Sequence, residues 1–143
     1  MPGVWGSALS FDGSDDYLSA DFVSQRITDT NGFAFGAWVY VSPSHSGTAA
    51  ILAFNDANGD DRNQLVFRSS RFCYDDPQTG WRCSSSTFST GQWYHVMVVI
   101  EEDGDGTLYV DGQAVSTFQT SVRPDPDGRF SIGQELSLIH ISE

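Results

Sequence analysis

Apolar and polar residues alternate with a period of two along almost the whole chain, which is the signature of half-buried β-strands. Ala8 to Phe11 reads as a short strand, and Asp16 to Ala20 as a second one, joined by the turn Asp12-Gly13-Ser14-Asp15. Phe33 to Val41 is a long strand ended by Ser42-Pro43. Ala49 to Phe54 follows, then Gln64 to Ser69, then a hairpin bracketed by two cysteines. Gln92 to Ile100 is the most apolar run, Thr107 to Val110 returns from it, and Asp111-Gly112 turns the chain into Gln113 to Phe118. Arg129 to Gly133 is the last strand expected. Asp-Gly between apolar arms marks tight hairpins, because Gly takes positive φ without strain. No window of ten or more residues carries a helical stripe with caps. Evenly spaced strands with Gly and Asp turns predict a sandwich or jelly roll.

Register sorts the side chains. On the Phe33–Val41 strand, Phe33, Phe35, Ala37, Val39 and Val41 share one face, and Ala34, Gly36, Trp38 and Tyr40 the other. On the next apolar strand Val96, Val98 and Ile100 read as core, which puts Trp93 and His95 opposite. Leu108 and Val110 leave Tyr109 off the core. Trp38, Tyr40, Trp93, His95 and Tyr109 therefore fall on one non-core sheet face, where flat rings suit the apolar faces of sugars. The alternative is that they pack beneath loops folded over that sheet. Trp81, in the cysteine hairpin, is a separate exposed aromatic candidate.

Length and charge narrow the picture. The 143 residues suit one domain, and 39% hydrophobic with 13% aromatic content is globular. There is no lysine, and seven arginines face nineteen acids, for a net charge of −12. That field disfavours nucleic acid and anionic membrane surfaces. It fits cation binding, and equally acidic turns that are only solvated. No run approaches the ~20 apolar residues of a membrane span. The opening lacks a basic-then-apolar signal segment, and Met1-Pro2-Gly3 reads as an artificial or fragmentary start.

Cys73 and Cys83 flank a turn with short extended arms, an arrangement in which a disulfide forms and which suits a secreted protein. Two free thiols in a cytosolic protein are the alternative. The spacing is not that of a cysteine metal site.

Four segments in order resemble laminin G-like domains of the concanavalin A-like superfamily, especially those of bacterial secreted proteins. They are Ala8-Leu9-Ser10-Phe11-Asp12-Gly13-Ser14-Asp15-Asp16-Tyr17-Leu18, Phe33-Ala34-Phe35-Gly36-Ala37-Trp38-Val39, Gly91-Gln92-Trp93-Tyr94-His95-Val96 and Leu108-Tyr109-Val110-Asp111-Gly112. The resemblance spans residues 6–135. It implies an all-β, antiparallel jelly-roll β-sandwich, an extracellular binding or adhesion role toward glycans or proteins, and a structural calcium. The parent would be a larger secreted protein.

Calcium takes six to eight hard oxygen ligands. Asp12, Asp15 and Asp16 are the expected metal ligands, where the family often holds its ion. Asn55, Asp56, Asn58, Asp60 and Asp61 are a second candidate, although their loop lacks the glycine and terminal glutamate of an EF-hand. For both groups the alternative is a solvated Asx turn.

Catalysis is not expected. Glycoside hydrolases need two carboxyl groups flanking the scissile bond on rigid strands. The four glutamates, Glu101, Glu102, Glu135 and Glu143, form no Glu-x-Asp-x-Glu strand. His95 lacks a nucleophilic partner, and the remaining histidines are His45 and His140.

Residues 136–143, Leu-Ser-Leu-Ile-His-Ile-Ser-Glu, match the translation of the transposase-type sequencing adapter CTG TCT CTT ATA CAC ATC TCC GAG at all eight positions. The expectation is a domain over residues 1–135 that lacks its closing strand, followed by an adapter-derived tail over 136–143. A missing closing strand would leave an open sheet edge near Ala8 to Phe11.

Overall fold

The computed structural model describes residues 3–11, 17–27, 32–58 and 60–133. Ten strands are described: β1 (Leu18–Ser19), β2 (Phe33–Tyr40), β3 (Ala49–Asn55), β4 (Asp61–Arg68), β5 (Arg71–Asp75), β6 (Arg82–Cys83), β7 (Trp93–Ile100), β8 (Asp105–Val110), β9 (Gln113–Gln119) and β10 (Arg129–Ile132). They form two antiparallel sheets, one ordered β1-β10-β3-β4-β5-β6 and the other β2-β7-β8-β9. The architecture is a two-layer antiparallel β-sandwich, as the sequence predicts.

The period of two sets this arrangement. Along β7 the residues Tyr94, Val96, Val98 and Ile100 are buried, and Trp93, His95, Met97 and Val99 between them are half-buried. Phe35 and Val41 are buried on the same side, with Phe33 and Val39 packed against the core. Aromatic contacts bridge the layers. Phe54 of β3 meets Phe35 of β2 edge-on at 5.5 Å between ring centroids. Phe72 of β5 meets Tyr94 of β7 at 5.5 Å, and Tyr74 of β5 stacks on Phe118 of β9 at 4.2 Å. Each such ring buries enough apolar area to contribute several kcal/mol, to which ring geometry adds about 0.5–1.5 kcal/mol per pair.

Two hairpins turn through left-handed residues. Asp111 and Gly112, at φ 51° and 81°, link β8 to β9 in the way Asp-Gly predicts. Ser69 and Ser70, at φ 51° and 62°, link β4 to β5 without any glycine, so that turn was not legible as a tight one. Gly106 has a different role: a Cβ there would collide with the ring of Phe118, its partner across the ladder.

One strand expected from the sequence is not present. Ala8 to Phe11 is not a strand. Both edges of β10 are already taken, one by β3 and the other by Leu18–Ser19, so the earlier segment has no ladder to join there. Phe11 instead packs its ring against the end of β10, where a Cβ on Gly133 would strike it. A 3-10 helix over Asp21–Arg26 is also present, too short to show a helical stripe. Residues 136–143 lie outside the described residues. No described helix is long and apolar enough to cross a membrane.

Candidate functional site

The side of the four-stranded sheet turned away from the core is built by register alone. Across β2 and β7 the outward pairs are Tyr40–Trp93, Trp38–His95, Gly36–Met97 and Ala34–Val99. The Trp38 and His95 rings meet at 5.2 Å, and the Tyr40 and Trp93 rings at 5.6 Å. Trp38 and Tyr40 remain 40% and 38% exposed. They stand about 7 Å apart along one strand, as two same-face residues must. Tyr109 of β8 pairs with Met97 and extends the face by one strand. Gly36 contributes no side chain. A Cβ there would strike the β7 backbone at Val96 and Met97, so close strand approach demands glycine.

The expected aromatic set is thus brought together, apart from Trp81. Among the described residues, Trp38 and Tyr40 stay partly open to solvent. Trp5 joins them: its ring stands edge-on to Trp38 at 5.7 Å and is 78% exposed. Sequence reasoning missed Trp5 because it sits outside any alternating run. An isolated Trp between Val4 and Gly6 was the available signal.

Trp81 lies just before β6 of the other sheet. The Arg68 guanidinium lies over its ring at 4.2 Å, a cation–π contact. Cys73 and Cys83 are bonded and face each other across β5 and β6, so the bridge fixes the strand that follows Trp81.

The loop between β5 and β6 is held by a buried carboxylate. Asp76 Oδ2 accepts hydrogen bonds from the Tyr74 hydroxyl at 2.5 Å and the Thr120 hydroxyl at 2.6 Å. Its Oδ1 accepts from the backbone N–H groups of Gln78 and Thr79 at 2.8 and 2.7 Å. Asn63 Nδ2 donates to the Tyr74 hydroxyl at 2.7 Å. Burial first, and then the Asp76 carboxylate, push the Tyr74 pKa well above the ordinary tyrosine value. Four donors saturate the Asp76 carboxylate, so its chemistry is structural: it ties this loop to the end of β9.

The expected calcium ligands Asp12, Asp15 and Asp16 lie outside the described residues. In the second acidic loop, Asp56 Oδ1 accepts from the N–H groups of Asn58 and Asp60 at 2.8 and 2.9 Å, which is an Asx-type turn. Among the described residues no three His, Cys, Asp or Glu side chains gather as a metal-binding group. Glu101 and Glu102 are exposed where β7 ends, beside a shallow depression that also includes Gly32 and Ala34.

A family model described as the concanavalin A-like lectin/glucanases superfamily, Laminin_G_3, matches residues 12–137. No curated protein matches the sequence. The fold is similar to an endo-beta-1,4-glucuronan lyase from the fungus Trichoderma reesei, with a TM-score of 0.57 and 15% identity over 85% of this chain and 64% of that one. It is also similar to the native heptameric SAP-like pentraxin from Limulus polyphemus, with a TM-score of 0.51 and 20% identity over 80% of this chain and 55% of the other. The binding domain of botulinum neurotoxin serotype G gives a TM-score of 0.54 at 8% identity, over 80% of this chain and 31% of that one. The chain spans about half the length of solved structures it matches. At these identities the likeness concerns the fold. The family match covers most of the sequence, and the chain belongs to the Laminin_G_3 family of the concanavalin A-like lectin/glucanases superfamily.

Proposed function

We propose that this domain is a non-catalytic extracellular binding module that takes a glycan on the outward face of its four-stranded sheet. The observation that carries the reading is the solvent-open aromatic set, Trp5, Trp38 and Tyr40, backed by His95 and Trp93. Indole and phenol rings stack on the C–H faces of pyranoses, and their polar edges take hydroxyl groups. The outward residues of β2 and β7 include no carboxylate, whereas glycoside hydrolysis needs a pair of them on rigid strands. The Cys73–Cys83 bridge fits an oxidising, extracellular setting. A glycan array probed with the domain, in calcium and in EDTA, tests the reading. Retention on at least one glycan, lost in Trp38→Ala and Tyr40→Ala variants that still fold, is the expected result. Retention unchanged in both variants would move the site elsewhere.

A second reading, protein–protein adhesion, is favoured by one observation. Leu18 of the edge strand β1 and Phe22 of the adjoining 3-10 helix are 44% and 64% exposed. Apolar surface at a sheet edge suits a protein partner. An empty glycan array together with loss of partner binding in Phe22→Ser would establish it.

A further inference from the structure

We propose that the aromatic face selects uncharged glycans and rejects uronate polymers. This rests on the glycan reading above and names its substrate class.

The chain has no lysine, and none of its seven arginines lies on β2, β7, β8 or β9. Two are occupied elsewhere. Arg123 is buried and donates to the carbonyls of Thr120, Val122 and Glu101. Arg62 donates to the carbonyl of Arg123. Arg68, Arg71 and Arg82 belong to the other sheet, around Trp81 and the disulfide. Arg26 and Arg129 lie on the 3-10 helix and β10. Among the described residues no arginine stands on the strands of the aromatic face.

Its rim has the opposite sign. Glu101, Glu102, Asp103 and Asp105 are exposed where β7 turns into β8, and Asp111 is exposed at the other end of β8. A uronate chain carries one carboxylate per sugar. Laid along this face it would meet rim carboxylates with no exposed guanidinium among the described residues there to pair with, since Arg123 is buried, inside a molecule of net charge −12. Recognition of carboxylates normally uses the paired N–H donors of arginine. A neutral sugar meets no such barrier. Its apolar face stacks on Trp38 and Tyr40, and the hydroxyl groups of further sugars along the chain donate to the rim oxygens. Two rings about 7 Å apart on one strand call for a chain of at least two sugars and not a single terminal residue.

The test is isothermal titration of the intact domain with two sets of hexasaccharides, at about 20 mM and about 500 mM NaCl, where screening lengths differ several-fold. The neutral set is made of β-linked glucose, mannose and xylose. The acidic set is made of mannuronate, guluronate and glucuronate. The expected result is binding of at least one neutral hexamer with an affinity that salt changes by less than about twofold. Trp38→Ala should weaken it by about tenfold and Trp38→Phe by clearly less, consistent with loss of one stacking contact. Arginine introduced at the rim by Thr107→Arg and Thr117→Arg, paired across β8 and β9, should confer salt-sensitive binding of an acidic hexamer. An acidic hexamer bound by the unmodified domain as tightly as any neutral one, and weakened by Trp38→Ala, overturns the charge inference and leaves the glycan reading intact. No binding of any neutral or acidic hexamer overturns the glycan reading itself. Circular dichroism and melting curves of each variant separate lost binding from lost folding.

Discussion

Asp111 and His95 hold each other through two hydrogen bonds. The Asp111 N–H donates to the His95 carbonyl at 2.8 Å, and the His95 N–H donates to Asp111 Oδ1 at 2.8 Å. The β7–β8 ladder ends at the Val96–Val110 pair, so His95 lies one residue beyond regular pairing. The aspartate carboxylate supplies the acceptor that a further strand residue would have supplied. In this way a turn residue of the Asp-Gly hairpin fixes the backbone under the Trp38–His95 ring pair.

Asp111→Ala should destabilise the domain by about 1–3 kcal/mol, adding a lost hydrogen bond to the poorer tolerance of left-handed backbone by Ala than by Asp. Asp111→Asn should cost well under half of that, because its side chain keeps an acceptor and Asn tolerates left-handed backbone. Urea midpoints of the two variants decide it. Equal losses would mean that the carboxylate charge, and not its geometry, is what matters.

The raised pKa of Tyr74 makes a statement about alkaline stability. The folded state keeps the phenol proton at a pH where the unfolded chain, at the ordinary value of 10.0, gives it up. Stability from this group is therefore complete below pH 10 and falls as pH rises above it, by about 1.4 kcal/mol per pH unit. With no lysine in the chain, no amine side chain titrates in that window. Tyr74→Phe should lower stability at pH 7 by about 1–3 kcal/mol, since Asp76 loses a buried donor. It should also flatten the decline above pH 10. An unchanged slope in the variant would assign the alkaline loss to another group.

Removing the carboxylate by Asp76→Ala should cost about 3 kcal/mol or more, because two buried hydroxyl donors and two loop N–H groups lose their acceptor together. Protease digestion should then cut first between Gln78 and Trp81. A variant as stable as the parent would show that the loop is not anchored through this residue.

Reduction of Cys73–Cys83 should lower stability by about 2–3 kcal/mol, the chain-entropy value for a loop closed over ten residues. Cys73 is fully buried, so attack by a small thiol in the native state should enter at the half-buried Cys83. Mass spectrometry of protein made in an oxidising compartment should show the two-hydrogen loss.

The calcium expectation rests on the sequence at Asp12, Asp15 and Asp16. Millimolar calcium should raise the melting temperature over that in EDTA at matched ionic strength, through preferential binding to the folded state. Magnesium should substitute poorly, since it demands a tighter octahedron. Superimposable melting curves would remove calcium from the account.

Alternation alone settled which side chains of β2, β7 and β8 face the core, because a pleated strand sends successive side chains to opposite faces whatever its partners. Phe35, Val96, Val98, Ile100, Leu108 and Val110 are buried as that period requires. The Asp111-Gly112 hairpin was legible for the same local reason, a demand for positive φ. The pairing of Cys73 with Cys83 followed from two arms joined by a short turn. What depended on non-local contacts was not legible. The 3-10 helix at Asp21–Arg26 and the non-strand run from Ala8 to Phe11 depend on which strand takes the edge of β10. Trp5 meets Trp38 across a separation no periodicity encodes. The Asp76 network joins Asn63, Tyr74 and Thr120 from three strands or loops, and the sequence shows them only as scattered polar residues. Local chemistry fixes the face a residue takes. Only the closed sandwich, by choosing which strands become neighbours, decides what that face meets.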